Sequence, residues 1–142
     1  WQHISNAEMI EGEYSGVGAG ATFRAEGNVN APAGSLPDSA YYLYYIETPS
    51  TGYFTGPEYR HALHFGKEKS GNAPPNRAVI AAPEAYVIDE KIDDGLPGSG
   101  TLITFNNTQH SDCATTDDPV TARYTVSDDP TEDCALIYIT GF

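Results

Sequence analysis

Apolar residues recur at every third position at the start of the chain, at Trp1, Ile4, Ala7 and Ile10, with Glu8, Glu11 and Glu13 off that stripe. The spacing predicts one apolar helical face over 1–11, and Gly12 is placed to end the helix. No capping side chain precedes Trp1, so the helix is expected to continue a segment cut away or lying upstream. The pattern then lapses. Over 12–39, Gly16, Gly18, Gly20, Gly27 and Gly34, with Pro32 and Pro37, predict loop. The run Tyr41-Tyr42-Leu43-Tyr44-Tyr45-Ile46-Glu47 is aromatic and free of breakers and predicts a strand over 41–47. A second strand is expected over 59–65, stopped by Gly66, with a turn region over 49–56 before it and loop over 67–75 after it. At 83–94 the period becomes helical: Ala85, Ile88 and Ile92 share one face, Pro83 and Glu84 suit the first turn, and Gly95 suits the end. Residues 93–100 read as a tight loop, and 101–105, 121–126 and 134–140 read as further strands, the last two joined over 127–130. Without long crossovers between strands, the sheet is expected to be antiparallel.

The chain has 142 residues, enough for one domain over 1–142 with a hydrophobic core. Twenty acids against seven bases give a net charge of −13. Such a chain is repelled by nucleic-acid phosphates and anionic lipid, so no nucleic-acid partner is expected. The excess is concentrated after Glu84, where Lys91 and Arg123 are the only bases. No apolar run is long enough to span a bilayer, and no basic, apolar leader opens the chain, which points to a processed or truncated form. Cys113 and Cys134 enclose a polar, acidic stretch and lack zinc-site spacing. They read as a disulfide closing a loop, which implies an oxidising compartment; two unpaired buried thiols are the alternative.

Candidate chemistry is sparse. There is no GxSxG nucleophile motif. His61 and His64 lie in one expected strand, three apart and therefore on opposite faces, while His3 and His110 are isolated. No enzyme is expected. Tyr41, Tyr42, Tyr44 and Tyr45 are split by strand alternation into two faces, one expected in the core. The other is either an ordinary amphipathic surface or a platform for sugars or a neighbouring subunit. Asp89, Asp93 and Asp94 cluster where a helix is expected to end, a place its dipole makes unfavourable for acids. Loop N–H groups, Lys91 or a calcium ion could each compensate them; calcium takes six to eight oxygens, and no EF-hand spacing is present.

Two stretches resemble a known family. Ala85, Ile88, Asp89, Lys91, Ile92, Asp93, Asp94, Gly95, Pro97, Ser99, Gly100 and Leu102 fall in a pattern similar to one common in bacterial proteins with a prepilin-type N-terminus, the type IV pilins and the pseudopilins of type II secretion. Trp1, His3, Ile4, Ala7, Met9, Ile10 and Gly12 resemble the stretch just after that family's long N-terminal helix. Residues 13–75 carry no signature of it, and the family's apolar N-terminal helix is absent from this sequence. The resemblance implies an α+β headgroup: an N-terminal helix packed on an antiparallel sheet, with a C-terminal disulfide-bounded loop. It implies a structural subunit of a pilus or pseudopilus at the cell surface, partnered by copies of itself and other pilins, with membrane contact only through the missing helix. Trp1, Ile4, Ala7 and Ile10 would continue that assembly helix. No cofactor is required. Major pseudopilins hold a calcium ion in a C-terminal loop, which makes calcium the candidate ion, but its ligands do not map residue by residue onto this sequence; Asp89, Asp93 and Asp94 are the candidate ligands from their own clustering. The alternative role is an adhesin-like or tip subunit that binds carbohydrate or a secreted protein through the tyrosines.

Overall fold

The tyrosine-rich run forms strand β1, Ser39–Ile46, and it pairs antiparallel with β2, Arg60–Lys67, with Tyr42 opposite His64 and Leu43 opposite Leu63. The computed structural model describes residues 1–15, 25–69, 74–126 and 131–141. The loop expected around Gly16, Gly18 and Gly20 and the joint expected over 127–130 therefore fall wholly or largely outside the described residues. Strands β3, Leu102–Thr104, and β4, Leu136–Ile139, complete a four-stranded sheet in the order β1-β2-β4-β3, antiparallel throughout. Together with helices α1, Gln2–Asn6, and α2, Ala82–Ile92, this is an α+β arrangement.

Both faces of the sheet carry core. On one, Leu102 of β3 and Leu136 of β4 pack with Ala82 and Ala85 of α2, with Tyr124 and with the two cysteines. On the other, Ile103, Ile137, Ile139 and Ala62 pack with Ile46, Tyr59 and Phe105. Alternation along each strand sends successive side chains to opposite faces, which is why neighbours such as Leu102 and Ile103 enter different clusters.

Three expectations are corrected. The N-terminal helix is five residues long instead of eleven and buries none of them. Ala7 ends it, and Glu8 takes a φ of 57°, a left-handed conformation that no helix continues through. The stripe stays largely in solvent: Ile4 is 38% exposed and Ala7 exposed, while Trp1 and Ile10 are half-buried. A short helix gains little from its own hydrogen bonds and needs an apolar face to pack on. Helix-on-sheet packing comes from α2 instead.

The buried face of α2 is also displaced. It consists of Ala82, Ala85 and Asp89, with Ile88 half-buried beside it, whereas Ile92 is 55% exposed. Finally, 121–126 is no strand of the sheet. Tyr124 makes one isolated bridge with Ala114, and Thr115 N–H and Thr125 N–H donate to Arg123 and Cys113 carbonyls. This segment folds back within the disulfide-bounded region because Tyr124 is drawn into the α2 cluster.

Candidate functional site

The cysteines are joined: Cys113 and Cys134 form a disulfide with Cα atoms 5.0 Å apart. Cys134 is held on its own account, since its N–H donates to the Ile80 carbonyl and Val79 N–H donates to its carbonyl. The bridge fastens the region after β3 to the entry of β4.

Asp89, Asp93 and Asp94 each bring one carboxylate oxygen within 4.8 Å of the others. Each of the three already accepts hydrogen bonds. Asp89 accepts Gly95 N–H at 3.2 Å and the Tyr124 hydroxyl at 2.8 Å. Asp94 accepts Leu96 N–H and the Ser99 hydroxyl, both at 2.8 Å. Asp93 accepts Thr101 N–H and Leu102 N–H. Loop donors thus meet the three charges that the helix end disfavours, and 93–102 wraps around the end of α2 as one hydrogen-bonded unit. Asp89 is fully buried, and burial pushes its carboxyl up to about 6, against the pull of the Tyr124 and Gly95 donors. A carboxylate oxygen accepts a hydrogen bond and ligates a cation at the same time, so these three aspartates keep the oxygens a calcium ion would use beside their loop donors.

The tyrosines of β1 do not divide into a core face and a solvent face. Tyr41 and Tyr42 are half-buried, while Tyr44 and Tyr45 are exposed, so burial falls along the strand rather than across it. Tyr41 stacks on Phe65 with ring centroids 4.8 Å apart. Tyr44 and Tyr45 instead border a cleft of about 530 Å³ at the end of β1, whose wall continues through Tyr53, Phe105, Asn76 and Gln109. Tyr53 and Phe105 meet with centroids 5.0 Å apart.

Behind these rings lies His64. It is fully buried, its imidazole faces Tyr44, Tyr53 and Phe105 with centroids 5.5–6.1 Å away, and neither ring nitrogen has a hydrogen-bond partner among the described residues. Burial pushes its pKa down to about 4, so the ring is neutral at physiological pH. His61 lies on the opposite face, half-buried against Tyr45 at 5.0 Å. The two histidines do not meet, as strand alternation requires.

Sequence reasoning missed Tyr53, Phe105, Asn76 and Tyr124. Tyr53 lies in a turn region, Phe105 just beyond β3 and Asn76 between elements, so no periodicity marks them. Only the third dimension brings them to the tyrosines of β1. No family model matches the chain, and neither curated proteins nor solved structures give a match.

Proposed function

We propose that this domain is the globular headgroup of a filament subunit, of the type IV pilus or pseudopilus kind, that works by self-assembly outside the cell. One observation carries the reading. Leu43, Leu63 and Tyr138 are cross-strand neighbours on one sheet face. Leu43 is 46% and Tyr138 42% exposed, and Leu63 is half-buried. A row of apolar side chains spanning three strands is the surface an assembling subunit would cover. The disulfide supports an oxidising location. The hydrogen-bonded helix-and-loop unit over 82–102 supports a structural role for the stretch that carries the resemblance. Partners on this reading are further copies of the chain and related pilin-like subunits, and any membrane contact runs through an apolar segment outside these residues. No cofactor is needed for it, and the acidic cluster ties the loop to the end of α2.

The test is filament formation in the producing cell. Leu43→Glu combined with Tyr138→Glu should abolish filaments while the purified domain keeps its near-ultraviolet dichroism and its disulfide. Filaments of normal abundance from that variant would sink the reading. The intact mass of the protein from its own cells checks the same point, since the reading expects an apolar segment joined ahead of Trp1.

A further inference from the structure

We infer that the pocket between α2 and the segment 123–126 binds a monocarboxylate with an apolar body. The pocket encloses about 420 Å³, within the range of small-molecule sites. Its reachable wall is apolar: Tyr86 is 41% and Val126 95% exposed, and Pro83 is half-buried beside them. Tyr86 is fixed there, since its hydroxyl donates to Glu90 at 3.0 Å and its ring stands edge-on to Tyr124 with centroids 6.1 Å apart. Arg123, itself exposed, is the only charged residue among the described residues of the lining. Its Nη1 donates to the Ala122 carbonyl at 2.6 Å and to the Val120 carbonyl at 3.4 Å. Among the described residues no acid pairs with it, and no acceptor meets Nε or Nη2. One edge of the guanidinium is thus anchored on main chain, and the other is a fork left open for a carboxylate.

Charge sets this place apart. The chain carries twenty acids, and Lys91 and Arg123 are the only bases after Glu84. A guanidinium without an acid is the exception on such a surface, and it stands where apolar side chains leave room for a ligand's body. The same setting narrows the ligand. A neutral apolar molecule would take water from Arg123 and return nothing. Phosphate or sulfate would leave Pro83, Tyr86 and Val126 unused. A second carboxylate would meet Glu90, which stands at the Tyr86 hydroxyl. One carboxylate on an aromatic or branched aliphatic body meets every requirement. That chemistry has two sources, a free acid and the C-terminal residue of a peptide. The site does not rest on the filament reading, whose surface is Leu43, Leu63 and Tyr138 on the sheet.

The experiment is a nuclear magnetic resonance titration of the protein with defined probes. The free acids are 3-phenylpropionate and 4-methylpentanoate, compared with 3-phenylpropanamide and with the dicarboxylate glutarate. A short peptide ending in phenylalanine, with a free or an amidated C-terminus, represents the second source. The expected result is saturable binding of a free acid or of the free-ended peptide, with shifts confined to resonances of Pro83, Tyr86, Arg123 and Val126; the tighter of the two identifies the source. Arg123→Gln should weaken binding about tenfold by removing the fork, and Val126→Glu should weaken it as much by setting a carboxylate at the mouth. Both side chains are exposed, and the rest of the spectrum should stay unchanged. Leu43→Glu, on the sheet face, should leave binding unaltered. The inference is overturned if no free acid or free-ended peptide shifts these resonances at millimolar concentration, if the amides or glutarate bind as tightly, or if Arg123→Gln binds like the parent. Should Arg123→Gln fail to fold, Val126→Glu decides.

Discussion

His64 and Asp89 are both fully buried and titratable, and they answer pH in opposite directions. The imidazole, ordinarily near 6.5, is held down to about 4 by burial. As pH falls from 6.5 toward 4, the unfolded chain takes up a proton that the folded chain refuses, and stability is lost. The Asp89 carboxyl, ordinarily near 3.8, is pushed up to about 6. As pH rises from 3.8 toward 6, the unfolded chain gives up a proton that the folded chain keeps, and stability is again lost. Either shift on its own is worth up to about 3 kcal/mol. The two slopes oppose one another between pH 4 and 6, so the parent protein should melt at nearly constant temperature there. Asp89→Asn should uncover a melting temperature that falls on acidification, and His64→Leu one that falls as pH rises over the same interval. Parallel profiles for the parent and both variants would refute the assignment. A second residue-scale prediction concerns Gly100, at φ +83°, where a Cβ would collide with the Asp93 carboxylate that accepts Thr101 and Leu102 N–H. Gly100→Ala should cost about 2–4 kcal/mol in urea denaturation. Gly141→Ala, at φ +78° with nothing within 4 Å, should show the backbone strain alone, about 1 kcal/mol.

Elements were legible where periodicity and punctuation agreed. Helix α2 begins and ends within two residues of its expected bounds because Pro83, Glu84 and Gly95 mark its ends: the Glu84 carboxylate accepts Ala81 N–H at 3.2 Å, and Gly95 takes a φ of 72°. Its inward face was misread, since small Ala82 and polar Asp89 occupy the buried positions and no hydropathy pattern places an aspartate in a core. Strands β1 and β2 were legible from aromatic and β-favouring runs, but β2 does not stop at Gly66: it runs on to Lys67, because Gly66 pairs with Ala40 and Lys67 with Ser39. The segment 121–126 has the same local character, yet a disulfide and the Tyr124–Asp89 hydrogen bond hold it away from the sheet. The stripe at Trp1, Ile4, Ala7 and Ile10 is a true local pattern that buries almost nothing, because periodicity reports a face and not what covers it. Of the cleft, only Tyr44 and Tyr45 were visible in sequence. For α2 and its loop, loop donors already meet the three aspartates, so excess EDTA should leave the melting temperature unchanged. A fall of several degrees, restored by calcium, would place a cation among Asp89, Asp93 and Asp94.

At the scale of the molecule, the Cys113–Cys134 bridge ties the chain after β3 to the entry of β4, one of the two inner strands of the sheet. Replacing both cysteines by serine should cost about 3 kcal/mol through the freedom returned to the unfolded chain. It should also loosen Tyr124, whose hydroxyl would then exchange faster with solvent. A loss below about 0.5 kcal/mol would show that the cluster around α2 holds this region without the bridge. The net charge of −13 keeps copies apart in dilute solution, so association through Leu43, Leu63 and Tyr138 should strengthen as salt rises, the behaviour of an apolar contact working against repulsion.

Asn106 stands in the triplet Asn106-Asn107-Thr108, an acceptor sequence for N-linked glycans. The nitrogen a glycan would use already donates to the Tyr53 carbonyl at 3.0 Å, and the residue is 8% exposed. The folded domain therefore hides its own acceptor. Modification and folding compete for one atom, and a chain bearing a sugar on Asn106 would carry a lasting record of having met the transferase before Tyr53 closed over it.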